Sequence, residues 1–122
     1  MAVAEDVARD WTAGEPAITF QSCPECRAVW YFRRDFCPRC GNAHPSTATA
    51  SGRGTVAACT VVTRAPSAEL RPYAPYGIVL VDASEGFRLM AQGDRTLAIG
   101  DRVTARFVSL GDRLIPHFER ET

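Results

Sequence analysis

Four cysteines carry the strongest chemical signal in the chain. They fall in two pairs, Cys23-Pro24-Glu25-Cys26 and Cys37-Pro38-Arg39-Cys40, the second followed by Gly41. Two residues between paired cysteines let a tight turn aim both thiolates at one ion, and the ten residues between the pairs suffice for a short hairpin that brings them together. Proline fixes φ for each turn, and glycine tolerates the left-handed conformation that follows the second. The pattern predicts a tetrahedral site for Zn2+ with Cys23, Cys26, Cys37 and Cys40 as ligands. Soft thiolates also accept iron, so a rubredoxin-like iron site stays open. A redox dithiol needs only one pair, at a helix N-terminus. With all four positions taken by cysteine, no place remains for substrate, and the metal is expected to hold structure.

Other groups that could do chemistry are few. Cys59 is the one cysteine outside the set; it shares a strand face with Ala57 and Val61, which predicts a buried, inert thiol. His44 follows the second cysteine pair in a loop, and His117 alternates away from Phe118 near the C-terminus. Asp82, Glu85 and Asp101 flank turns. No Gly-rich phosphate loop occurs, since Gly52-Arg53-Gly54 lacks the helix such loops feed. With no nucleophile and base to bring together, the expectation is that the chain is not an enzyme.

Composition narrows the partners. The 14 basic and 14 acidic residues cancel, which argues against a duplex nucleic acid or an anionic membrane held by bulk charge. Every basic residue is arginine, a composition bias or a choice for bidentate phosphate and carboxylate contacts. The first residues have neither a basic nor an apolar leader region, and no apolar run reaches membrane-spanning length. A cytoplasmic protein whose thiols serve a metal is the expectation.

These residues need elements to position them. Val3, Val7 and Trp11 recur at helical spacing, predicting a short helix over residues 3–12 that docks on the chain's own core or on a partner. Ile18–Gln21 and Val29–Phe32 read as ribbon strands around the first cysteine pair. Arg27, Arg33, Arg34 and Arg39 surround the aromatic run, as a solvated face or a contact patch. Small residues from Ala43 to Ser51 read as a linker. Five strands follow, over 54–64, 76–82, 87–92, 102–109 and 114–119, in a spacing that suits a small closed Greek-key barrel of the OB type. A mainly β chain results, with an N-terminal helix and zinc ribbon over 1–45 and an OB-fold domain over 46–122.

The order of Gln21-Ser22-Cys23-Pro24-Glu25-Cys26, Val29-Trp30-Tyr31-Phe32, Cys37-Pro38-Arg39-Cys40-Gly41, Ser51-Gly52-Arg53-Gly54-Thr55-Val56, Thr60-Val61-Val62-Thr63-Arg64-Ala65-Pro66 and Ile99-Gly100-Asp101-Arg102-Val103 resembles one family. It is the OB-fold, zinc-ribbon family associated with acyl-CoA enzymes, catalogued as domain of unknown function thirty-five. The resemblance runs from about Val7 nearly to the C-terminus. It departs at Arg27-Ala28, where many relatives carry glycine, and at Gln92-Gly93. It implies an N-terminal helix, a rubredoxin-like zinc ribbon and an OB domain that serve as a non-catalytic partner of a thiolase-like enzyme.

The leading expectation is therefore an accessory subunit in a hetero-oligomer with a thiolase-like acyl-CoA enzyme (acyltransferase, ketothiolase or aldolase), stabilising it and helping to form its acyl-CoA channel. Trp30, Tyr31, Arg33, Arg34 and Arg64 are the candidates for partner or ligand contact, because aromatic residues and arginine dominate interfaces. Two alternatives stand beside it: a stand-alone acyl-CoA-binding protein and an OB domain that grips single-stranded nucleic acid. The last needs stacking aromatics over a basic groove, and only Tyr76 and Phe87 sit in the right strands of a chain with zero net charge.

Overall fold

A computed structural model describes residues 9–121. Most of the helix expected over residues 3–12 lies outside them; its described end is one 3-10 turn, Trp11–Ala13. Asp10 caps that turn, its carboxylate accepting the Thr12 amide at 3.0 Å, and also accepts the Thr19 hydroxyl at 2.9 Å, which ties the turn to the ribbon. No helix among the described residues is long and apolar enough to cross a membrane.

The ribbon is a three-stranded antiparallel sheet in the order β2-β1-β3, from β1 (Thr19–Ser22), β2 (Val29–Trp30) and β3 (Ser46–Thr49). Two expectations change here. The strand after the first cysteine pair stops at Trp30 instead of running to Phe32. The small-residue segment read as a linker contains β3, paired with β1 from Thr19↔Thr49 to Ser22↔Ser46. β1 has backbone donors and acceptors along both edges, and the returning chain supplies the partner that the two-residue β2 cannot.

Five strands close the barrel: β4 (Arg53–Val62), β5 (Tyr76–Ala83), β6 (Arg88–Gly93), β7 (Arg102–Leu110) and β8 (Arg113–Arg120). Their order is β4-β5-β6-β8-β7, with β7 returning to β4 through Arg53↔Thr104, Gly54↔Val103 and Thr55↔Arg102. Closure between β6 and β8 is parallel and short, resting on Gln92↔His117 and Gly93↔Phe118. The glycines make that corner possible. Gly77 pairs with Gly93 across β5 and β6, and a Cβ on Gly77 would sit 2.5 Å from the Gly93 carbonyl oxygen. Alternation on β5, β6 and β7 delivers Val79, Val81, Leu89 and Val103 to the interior, where Val56, Leu97 and Phe118 join them in one buried cluster.

Ribbon and barrel share one core. Phe87, only 4% exposed just before β6, stacks on Phe20 (ring centroids 5.0 Å apart) and on Tyr31 (5.6 Å), both nearly parallel to it. Each such pair contributes about 0.5–1.5 kcal/mol beyond the buried area. The Trp11 indole N–H donates to the Tyr31 hydroxyl at 3.0 Å, Ile18 joins the buried cluster, and the Ser51 amide donates to Glu85 at 2.7 Å.

Candidate metal centre

Each cysteine pair sits on a turn of the same design. The Arg27 amide donates to the Cys23 carbonyl, and the Gly41 amide to the Cys37 carbonyl, both at 2.9 Å. The Cys23 amide then reaches the Ala28 carbonyl at 2.9 Å, as the Cys37 amide reaches that of Asn42 at 2.8 Å. The residue after the second cysteine is left-handed in both turns, with φ 67° at Arg27 and 84° at Gly41. Arginine thus occupies a backbone position that suits glycine.

The turns bring the four sulfurs together. All lie within 4.8 Å of one another, with Cys23 Sγ to Cys40 Sγ and Cys26 Sγ to Cys37 Sγ at 3.6 Å. A tetrahedron of thiolates at the roughly 2.3 Å bond length of zinc has edges of about 3.8 Å, so the set could hold one metal ion with little movement. Amides also point at the sulfurs. Cys23 Sγ accepts from the Cys26 amide at 3.4 Å, and Cys37 Sγ from the Arg39 and Cys40 amides at 3.3 and 3.4 Å. The Cys26 amide leads in bringing the Cys23 thiol down to about 6. At Cys40 the Asn42 amide pulls the same way, but the Cys23 sulfur, burial and the other two sulfurs together outweigh it and push the thiol up to about 12. Four thiolates this close repel one another, and a cation between them removes that conflict.

Outside the cluster, the structure places the other candidates apart. Trp30 is half-buried, with its indole N–H donating to Gln21 Oε1 at 2.7 Å, and Tyr31 is half-buried against Phe87. Arg33 and Arg34 are exposed beside them, while the exposed Arg64 lies past the end of β4. Cys59 departs from the buried thiol expected of it. It is exposed, its thiol donating to the Leu97 carbonyl at 3.5 Å. β4 pairs with β7 only through Thr55, so its far half, where Cys59 lies opposite Val79, has one uncovered edge. His44 is exposed in its loop, and His117 accepts or donates to Gln92 at 2.8 Å; no described hydrogen bond joins either to Cys59.

Two features were missed by sequence reasoning. Phe32 and Phe36 are 77% and 55% exposed, the most open aromatic rings described on the ribbon. Gln21, 5% exposed, is a buried polar residue that ties together the two ends of the segment 30–34, which carries Phe32. Besides accepting from Trp30, its Oε1 accepts the Arg34 amide at 2.7 Å, and its Nε2 donates to the Arg34 carbonyl at 3.1 Å. Nothing in its position on a strand distinguishes it from a solvated glutamine.

A four-cysteine ribbon packed on a closed five-stranded barrel of this order defines an OB-fold, zinc-ribbon class of protein. Within it, the chain belongs to the family of the ChsH2 C-terminal OB-fold domain, which matches residues 47–108. Among solved structures, it is similar to one described as the Ltp2-ChsH2(DUF35) aldolase, with 25% identity over 85% of this chain and 84% of that one and a TM-score of 0.73. A DUF35-family protein of unknown function from Sulfolobus solfataricus shares the fold at 15% identity, covering 86% of this chain and 76% of that one, with a TM-score of 0.58. No curated protein matches the sequence.

Proposed function

We propose that this chain is a non-catalytic accessory subunit of a thiolase-like acyl-CoA enzyme in a reducing compartment, built around one structural Zn2+ held by Cys23, Cys26, Cys37 and Cys40. The observation that carries the reading is the likeness, across most of both chains, to the DUF35 component of an assembly named for two proteins and called an aldolase. The site chemistry agrees with it. A complete four-thiolate set leaves a metal no open position for substrate, and Cys59, His44 and His117 form no hydrogen-bonded couple. Trp30, Tyr31, Arg33 and Arg34 lie on the ribbon surface through which the subunit docks, with Trp30 and Tyr31 bracing it from beneath and the arginines facing outward.

The test is co-expression with the thiolase-fold enzyme encoded beside the chain, followed by co-purification and turnover of a thioester panel. The expected result is a stable complex and no turnover by the isolated chain. Failure to associate, or robust activity lost in Cys59→Ala, overturns the reading. The nucleic-acid alternative finds little support on the barrel. Phe87 is buried, stacked on Phe20 and Tyr31, leaving Tyr76 as the one half-exposed aromatic of β5 and β6. Submicromolar binding to single-stranded DNA, abolished by Tyr76→Ala, would restore it.

A further inference from the structure

The ribbon surface has a relief that specifies what can sit on it. Phe32 stands as a ridge between two depressions. One, about 500 Å3, has Trp11, Phe20 and Tyr31 among its walls and Arg33 at its side; the other, about 320 Å3, runs from Trp30 to the barrel hairpin at Gly86–Phe87 and has Arg34 at its side. The first depression is mainly apolar and the second is mixed, with Arg34 and Arg88 among its walls, so the exposed phenyl ring separates an apolar groove from a polar-edged one, each with a guanidinium. Among the described residues, these arginines are free of the pairing that holds most arginines on the barrel strands, Arg113 of β8 being the unpaired one there. Arg53, Arg88, Arg102, Arg106 and Arg120 each pair with a carboxylate, whereas no described carboxylate lies within salt-bridge distance of Arg27, Arg33, Arg34 or Arg39.

The relief is also held in place. The loop after β2 leaves the sheet at Trp30, where a two-residue strand gives it little backbone support. Gln21 replaces that support with three hydrogen bonds of 2.7–3.1 Å to Trp30 and to both backbone groups of Arg34, all from a buried side chain. Tyr31, stacked on Phe87, fixes the residue before the ridge. A partner meeting this face would have little chain ordering to offset on binding.

The geometry points to a docking face made by Phe32, Arg33 and Arg34 with the two flanking grooves. The partner surface that fits it presents an aliphatic or aromatic side chain to the larger, apolar groove and carboxylates to Arg33 and Arg34 on the two flanks. This rests on the accessory-subunit reading above and names the chemistry of the enzyme surface that the subunit covers. Charge complementarity decides among occupants. A second copy of this chain would bring to the face, from the groove walls, only the Asp10 carboxylate, already taken up by Thr12 and Thr19, and an uncharged apolar surface would leave the arginines desolvated without partners.

The experiment is calorimetric titration of the co-purifying thiolase-fold enzyme with the wild type, Phe32→Ala, Arg33→Glu, Arg34→Glu and, as a control outside both grooves, Ile99→Ala, which removes another exposed apolar side chain. Metal content and circular dichroism check that each variant is folded. We expect Phe32→Ala and either charge reversal to weaken binding roughly 10-fold or more at low salt, with Ile99→Ala unchanged. The charge-reversal effects should shrink between 0.05 and 0.5 M salt, over which screening shortens from about 14 to about 4 Å, while that of Phe32→Ala persists. If the wild type binds the enzyme and all three face variants bind like it, the face is wrong and the accessory reading survives. If the wild type binds no thiolase-fold enzyme, the accessory reading falls and takes this face with it. A wild type that self-associates, with Phe32→Ala monomeric, makes the occupant a second copy and overturns the carboxylate-bearing partner.

Discussion

Arg27 offers a measurable consequence of the turn that presents Cys23 and Cys26. Its φ of 67° is left-handed, the conformation that Gly41 adopts at 84° in the companion turn. An L-residue there costs roughly 1–2 kcal/mol, from crowding of its Cβ against the following carbonyl. Replacing it by glycine removes that cost but enlarges the unfolded ensemble, a loss of about 0.5–1 kcal/mol. Arg27→Gly should therefore stabilise the turn by about 0.5–1 kcal/mol net, and Arg27 makes no described side-chain hydrogen bond or salt bridge that its removal would sacrifice. Gly41→Ala is the mirror experiment. Nothing lies within 4 Å of a Cβ built there, so its cost is conformational alone, about 1 kcal/mol in the opposite direction. Since metal binding and turn formation are coupled, both energies should appear in metal affinity, as roughly a 2- to 5-fold gain and a 5-fold loss. Competition against a chromophoric chelator at fixed pH measures both, and thermal unfolding supplies a second reading. Arg27→Gly that weakens metal retention while Gly41→Ala leaves it unchanged would refute the left-handed assignment, and with it the equivalence of the two turns.

Cys37→Ser should abolish stoichiometric metal and unfold the ribbon, because structural zinc in small modules contributes on the order of 10 kcal/mol; elemental analysis with circular dichroism reads this, and a metal-free, reduced, fully folded chain would contradict it. Gly77→Ala should destabilise the barrel by about 1–3 kcal/mol or more, since its Cβ would meet the Gly93 carbonyl oxygen at 2.5 Å; a urea titration with an unchanged midpoint would mean that β5 and β6 do not approach as described. His117 should make stability fall with acid. Burial, then the nearby Arg106, lowers its pKa below the ordinary 6.5, so the unfolded chain takes up a proton more readily than the folded one. Its contribution is fully present above the unfolded value and is lost as pH falls through 6.5 towards the folded value. Melting curves between pH 7.5 and 5.5 should show a smaller decline for His117→Gln than for the wild type, and parallel declines would assign the loss elsewhere.

The cysteine cluster was legible because its geometry is local: two residues between ligands determine each turn, and only the meeting of two similar turns is left to the fold. The barrel strands were legible for a related reason. Val79, Val81, Leu89 and Val103 alternate with half-exposed or exposed neighbours, a pattern set by which face meets the core. β3 was not, because Ser46-Thr47-Ala48-Thr49 has no apolar period; it is a strand because β1 has an edge to satisfy. The aromatic run 29–32 gave its composition but not its orientation. Alternation applies only while a strand lasts, and this one ends at Trp30, so Tyr31 turns in to Phe87 and Phe32 turns out. Cys59 failed for want of cover rather than of pattern: it lies opposite buried Val79, but on a stretch of β4 that β7 no longer flanks.

β1 explains why these parts act as one body despite their different chemistry. Within four residues it places Phe20 on Phe87, which belongs to the barrel, and Gln21 on Arg34, which belongs to the exposed loop; Cys23 follows at once with the first thiolate. Alternation sends Phe20 and Gln21 to opposite faces of the strand, so the aromatic joint and the loop support can be satisfied together without competing for space. β3 then closes the remaining edge of β1 and leads through Ala50 and Ser51, both hydrogen-bonded back to the ribbon or the hairpin, directly into β4. A metal held by Cys23 would therefore fix the end of the strand that carries both neighbours. The support of the Phe32 loop and the first thiolate thus sit on one strand, even though neither Phe32 nor its flanking arginines is among the four clustered cysteines.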